Sequence, residues 1–237
     1  MIRKIFASLS LALVITACSE DDPSDAGDPG SSGELTNATS VENTSGEVYR
    51  VGFDQQSSNN QNPFVEKVDA QGDRIWRVNH ETTGVDGRAT VVALDQQENP
   101  WVVFTVDGGS NNGDFINRRA VTPGAFDDVF ANSYGRGGGP VASILARLDP
   151  ATGSIVKGTF FTARLTNGNT NTLRITALGF VNGNVTFEAT SAAWPPGTGS
   201  SYMRMPGITD ADRVNGSFEL YYEITGDLSE IQVARLR

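Results

Sequence analysis

The chain has 237 residues with 18 basic and 28 acidic side chains, a net charge of −10, one cysteine and one histidine. An acidic chain without a basic stripe argues against nucleic acid as a partner and against electrostatic adhesion to anionic lipid. One cysteine and one histidine leave no thiolate metal site and none of the usual His-rich zinc or copper sites, so no metal, cofactor or disulfide is expected.

The first element is a leader. Arg3 and Lys4 precede about thirteen mostly apolar residues, Ile5–Ala17, which span ~20 Å as a helix, too short for a ~30 Å hydrocarbon core. A basic start and a short apolar stretch read as a secretory signal peptide. It ends in Ile15-Thr16-Ala17-Cys18, which resembles the lipobox of bacterial lipoproteins. The resemblance implies removal of residues 1–17, a thioether-linked diacylglycerol on Cys18 and an acylated new N-terminus. Several acyl chains hold more firmly than one, at ~0.8 kcal/mol per buried methylene. Without the leader, 16 basic and 28 acidic residues remain, a charge of −12. The run Ser19-Glu20-Asp21-Asp22 is similar to the export signal of surface lipoproteins in the Bacteroidetes group, with a solvated acidic tether as the plain alternative. The expected location is the outer membrane, facing outward. No second apolar stretch approaches the ~18 residues of a membrane span.

Residues 18–36 comprise the lipidated cysteine and a tether of Ser, Asp, Gly, Pro and Glu, too poor in apolar side chains to offset its ordering entropy. About eighteen flexible residues reach ~25 Å on average. Residues 37–237 then form the folded domain, in which runs rich in Val, Ile, Phe, Thr, Tyr and Trp alternate with Gly, Asn, Asp and Pro. No helix is expected, because apolar residues nowhere recur at i, i+3, i+4, i+7 over three turns without Gly or Pro. In chain order the strand-sized runs are 38–43 with 47–54, 63–69 with 74–79, 90–95 with 101–106, 141–149 with 154–163, 173–180 with 184–191, and 217–225 with 230–237.

These pairs repeat. One four-stranded unit is expected from 63–79 with 90–106, a second from 141–163 with 173–191, and a third from the two chain ends, 38–54 with 217–237. Four strands per ~40–50 residues is the pattern of a β-propeller blade. Here the residues carry a resemblance: TVVALDQQENPWVVFTV (Thr90–Val106), Ala120-Val-Thr-Pro-Gly-Ala-Phe126 and ILARLDPATGSIVKGTFF (Ile144–Phe161) look like the bacterial β-propeller repeat family. Ile175–Ser191 looks like the family's next strand pair, and the likeness covers about residues 62–192. Its motifs encode turns and core strands rather than chemistry. The chain departs from the pattern at Asn99-Pro100, where Gly-Asn is expected, and at Gly179-Phe180, where an acidic turn residue is expected.

The fold expected is therefore all-β, built from repeated four-stranded antiparallel units and β-propeller-like, with about three blades. Three blades do not close a ring of the usual four to eight, and an open stack exposes sheet faces and apolar surface. The ring closes through a fourth unit hidden in loops or by homo-oligomerisation. A β-sandwich or irregular β fold is the alternative.

No catalytic constellation emerges. The acid pairs Asp127-Asp128, Asp210 with Asp212, and Glu81 with Asp86 suit a glycosidase by type, yet all lie in polar loops. Asp107–Asp114 spaces oxygens like a calcium loop but lacks Gly at the sixth position and Glu at the twelfth. His80 is the one histidine, and no G-x-S-x-G elbow accompanies it. The best binding lead is the loop from Trp194 through Tyr202 to Arg204, whose side chains suit stacking on sugar or anchoring a protein; the plain alternative is a Trp folded over the core. The function expected is a non-enzymatic surface lipoprotein that binds or scaffolds, with a glycan or an envelope protein as partner. The alternatives are a polysaccharide-acting hydrolase or lyase using loop carboxylates, and a structural subunit of an envelope assembly.

Overall fold

The computed structural model describes residues 34–58, 60–80, 87–106, 120–136 and 141–237. The leader, Cys18, most of the tether, the acids Glu81 and Asp86, and the Asp107–Asp114 loop lie outside the described residues. Within them, the chain is all-β, with no α-helix and a single 3-10 turn at Asp210–Asp212.

Twelve strands form three antiparallel four-stranded meanders. The first sheet joins β1 (Ser40–Glu42), β2 (Val48–Ser57), β3 (Asn60–Val68) and β4 (Arg74–Asn79) in that order. The second joins β5 (Gly87–Leu94), β6 (Pro100–Val106), β7 (Ala142–Leu148) and β8 (Ile155–Phe161). A small pair, β9 (Ala163–Arg164) with β10 (Thr170–Asn171), follows. The third sheet joins β11 (Arg174–Val181), β12 (Asn184–Ser191), β13 (Phe218–Ile224) and β14 (Ile231–Leu236). No sheet closes on itself.

All six expected hairpins form, but their grouping differs from expectation. The N-terminal hairpin β1–β2 pairs onward with β3, through nine residue pairs from Val48↔Val68 to Ser57↔Asn60. The C-terminal hairpin β13–β14 pairs with β12, seven pairs from Val185↔Ile224 to Ser191↔Phe218. The chain ends therefore do not share a sheet, and the units are offset by one hairpin from the sequence reading. The physical reason lies in Asp54–Asn62, nine successive polar residues whose Gln, Ser and Asn side chains read as loop. The ladder holds these residues as strand through Gln55↔Gln61 and Asp54↔Asn62, without burial of apolar side chains to advertise it.

The second sheet lies between the other two. One core joins it to the first sheet: Tyr49, Val51 and Val65 meet Val92, Val102, Phe104, Ile144 and Phe160. The other joins it to the third: Trp101, Val103, Leu145 and Phe161 meet Leu178, Phe187, Leu220 and Tyr222. A strand buried on both faces needs apolar residues at consecutive positions, which explains the runs TVVAL and WVVFTV and the burial of every residue of β6. The flanking sheets alternate instead. On the open face of the first sheet Arg50, Arg74 and Arg77 surround Glu66, at 3.9, 2.9 and 3.5 Å, and Arg77 also meets Asp54. On the open face of the third, Glu188 pairs with Arg237 at 2.7 Å and Tyr221 donates to Glu223 at 2.9 Å. Charge pairs thus line both outer faces, while Phe53 and Ile75 of the first sheet stay exposed.

Residues 34–39 stitch the first strands together. Thr36 exchanges two backbone bonds with Leu178 of β11, Ala38 accepts from Val92 of β5, and Thr39 accepts from Val51 of β2, all at 2.8–2.9 Å. Among the described residues, pairing thus begins at Thr36. Gly179, a departure from the family pattern, is explained here: a Cβ at that position would run into the Glu34 carbonyl.

Candidate functional site

The two ends of the stack differ in kind. At one end the hairpins turn tightly on a repeated device, an Asx side chain that accepts from the backbone two and four residues on. Asn43, Asp69 and Asp95 do this at 2.8–3.0 Å, and Asp149 accepts from Ala151 at 2.8 Å. Asp95 also takes the Trp101 indole N–H at 2.9 Å and the Asn99 amide. The left-handed position of this turn is Glu98, at φ 61°, so Glu98 takes the place that glycine suits, and Asn99 bonds back to Asp95. These turns are structural. The opposite end carries the long connections, where binding groups are commonly placed on a rigid scaffold.

Trp194, Tyr202 and Arg204 come together at the long-loop end. Trp194 bridges β9 through two backbone bonds to Arg164, at 2.9 and 3.0 Å. Tyr202 donates its hydroxyl to the Trp194 carbonyl at 2.9 Å. The Arg204 guanidinium carbon sits 3.3 Å from the Trp194 ring centroid, and Phe218 packs against the same indole at 5.5 Å. Both aromatics lean on the core between the second and third sheets. Trp194 is therefore half-buried with an arginine over its ring, rather than an open stacking platform.

Sequence reasoning missed two more arginines of this cluster. Arg164 lies over the Tyr202 ring at 4.0 Å, and Arg213 lies 5.1 Å from the Trp194 centroid. Arg213 is paired with Asp210 at 2.9 Å and donates to the Ala192 carbonyl. Arg164 and Arg204 contact no carboxylate among the described residues. Burial pushes the Tyr202 phenol up, against the opposing pull of Arg164 and Arg204, so the hydroxyl stays a donor. No local signal marks Arg164, because thirty residues separate it from Trp194.

A cleft of about 270 Å³ opens beside this cluster, lined by Asn132, Ser133, Thr162, Arg164, Ser201 and Tyr202, with the 129–135 loop as its wall. That wall is pinned. Phe130 donates its backbone N–H to Leu228 at 2.7 Å, the Thr159 hydroxyl bridges both backbone groups of Ala131, and Thr170 donates its hydroxyl to Tyr134 at 3.1 Å. Behind it an aromatic ladder runs Phe130–Phe161–Phe187–Tyr222, with centroids 4.7–5.5 Å apart, in the range where ring pairs attract. A second, wider cleft of about 530 Å³ lies where the first strands meet, lined by Glu34, Glu42, Asp95, Glu98 and Phe180.

The loop acids have structural partners. Asp212 accepts from the backbone and hydroxyl of Thr209 at 2.7 and 2.9 Å, Asp210 holds Arg213, and the backbone of Asp127 accepts from Lys157. Asp128 takes a left-handed turn position, φ 50°. His80 is buried against Phe104, with ring centroids 4.9 Å apart. Among the described residues no three His, Cys, Asp or Glu side chains gather as a metal site, and no helix is long and apolar enough to cross a membrane. No protein-family model matches the chain, and no curated protein matches it.

Proposed function

We propose that the protein is a non-enzymatic binding module, displayed on a bacterial outer membrane by lipid on Cys18, whose three sheets stand as blades of a propeller-like stack and whose long-loop end takes a glycan. The lipobox-like Ile15–Cys18 supports the anchor. The meander order of each sheet, and the stitching of β5, β11 and the start of the first sheet by residues 34–39, support the propeller-like reading. The observation that carries the binding role is the cleft itself. Asn132, Ser133, Thr162 and Ser201 line it with side chains that make no hydrogen bond to a described residue, on a wall held rigid from behind. Convergent polar groups on a preformed concave surface are what a small polar ligand requires.

The test is a panel of immobilised polysaccharides probed with the full chain and with Ser201→Trp, which fills the cleft. Binding to at least one polysaccharide that Ser201→Trp abolishes supports the role. Binding that survives the filled cleft, or no binding at all, overturns it. Incorporation of labelled palmitate, lost in Cys18→Ala, tests the anchor separately.

A further inference from the structure

The polar cleft has a charge preference that the glycan reading alone does not supply. We infer that its ligand is a sugar residue bearing a carboxylate or sulfate group, with the anion on Arg164 and the ring hydroxyls on Asn132, Ser133, Thr162 and Ser201. This rests on the reading of the long-loop end as a glycan site, and it specifies the chemistry of that site.

The first reason is charge balance. In a chain of net charge −10, the cluster gathers Arg164, Arg204 and Arg213 and, among the described residues, places only the Asp210 carboxylate in contact with them. A guanidinium carries five donors suited to carboxylate or sulfate oxygens, and Arg164 meets no acceptor carboxylate among the described residues. Its position is fixed from both sides, by the Tyr202 ring at 4.0 Å and by its own backbone bonds to Trp194. An arginine held in place loses less side-chain entropy when an anion arrives.

The second reason is the lack of a free ring. Neutral sugars are held largely by stacking on aromatic faces, and here Trp194 carries Arg204 over its ring and Tyr202 carries Arg164. What the cleft offers instead is donors. The third reason is size and rigidity. Clefts for drug-sized ligands run from about 300 Å³ upward, so a cleft of about 270 Å³ suits one sugar residue. Its wall turns at Gly135, at φ 96°, where a Cβ would lie 2.6 Å from the Thr170 hydroxyl oxygen, so the path of the loop beside the cleft is fixed.

The experiment is titration calorimetry on the full chain with three oligosaccharides of equal length: an oligogalacturonate, its methyl ester, and a sulfated galactan fragment. The expected result is binding of at least one anionic oligomer, at least tenfold tighter than the ester. Arg164→Gln should cost that oligomer at least tenfold, and Asn132→Ala, in an exposed loop position, several-fold. Arg147→Gln, at the tight-turn end beside Trp101, should leave affinity unchanged. Preference between the carboxylated and the sulfated oligomer identifies the anion. An ester that binds as well as both anionic oligomers overturns the inference and leaves the glycan reading standing. Equal losses in Arg164→Gln and Arg147→Gln overturn it as well, by showing diffuse charge attraction. No binding by any of the three overturns the inference, and the polysaccharide panel then decides the glycan reading.

Discussion

The Tyr222 hydroxyl, at the centre of the seam between the second and third sheets, donates to the carbonyl of Pro196 at 2.9 Å. Both residues are buried, and burial holds the phenol well above its ordinary range, so it stays a donor. This bond connects the aromatic ladder of the core to the loop that carries Trp194, Tyr202 and Arg204.

Tyr222→Phe should therefore keep the ring packing and leave the Pro196 carbonyl without its partner, a loss of about 1–3 kcal/mol. Urea unfolding should show the midpoint fall with an unchanged slope. Hydrogen exchange should quicken at Gly197 and Met205, whose backbone N–H groups bond within that loop. A variant with the parent's stability and exchange would place the loop's hold elsewhere.

Asp95 offers a test of the repeated turn. It accepts from the backbone of Gln97 and Asn99, from the Asn99 amide and from the Trp101 indole. Asp95→Ala leaves the indole N–H of a 2 % exposed Trp without an acceptor, and a cost of about 2–3 kcal/mol follows from an unmade buried bond plus a loosened turn. The readout is thermal unfolding together with a shift of Trp fluorescence. Asp69→Ala, whose turn holds no indole, should cost less.

His80 makes stability acid-sensitive. Burial pushes its imidazole down to about 3 from 6.5, with the Gly153 backbone pulling the other way. The unfolded chain takes up a proton at His80 below about pH 6.5, where the folded chain does not, so this contribution is complete above pH 6.5 and is lost as pH falls toward 3. Urea midpoints at pH 7, 5.5 and 4 should show His80→Leu losing less than the parent as pH falls. Parallel declines would remove His80 as a cause.

The outer faces predict the state of association. Arg50, Arg74 and Arg77 pair with Glu66 and Asp54 on the first sheet, as Arg237 does with Glu188 on the third. A buried interface core is depleted in charge, so we predict that these faces do not close a ring between two copies. Light scattering of the chain without its lipid should give a monomer. A stable dimer would mean that one of these charged faces is an interface, and Arg77→Glu should then dissolve it.

The hairpins were legible in the sequence because their causes are local. Asn43, Asp69 and Asp95 each satisfy backbone donors two and four residues ahead, and Asp149 the donor two ahead, and such a device needs nothing beyond its own segment. The loop with Trp194, Tyr202 and Arg204 was legible as a concentration of large polar-tipped side chains. Its partner Arg164 was not, since only the fold brings β9 against Trp194. The offset of one hairpin in the grouping has the same origin: the polar stretch 54–62 carries no burial pattern, and its ladder exists only because β2 and β3 are already aligned by Val51↔Val65 nearer the core.

What the sequence determined by itself was the all-β class, the positions of the six hairpins and the chemistry of their turns. It also marked β5 and β6 as apolar at successive positions, although only the stacking of two other sheets on the second sheet turns that run into a middle layer. Tertiary structure alone decided which hairpins share a sheet, which ring Arg204 covers and where Arg164 stands. Turn geometry is set by bonds over two to four residues, whereas sheet order and side-chain clusters are set by contacts between segments far apart in the chain, whose energies depend on what each buries against the other.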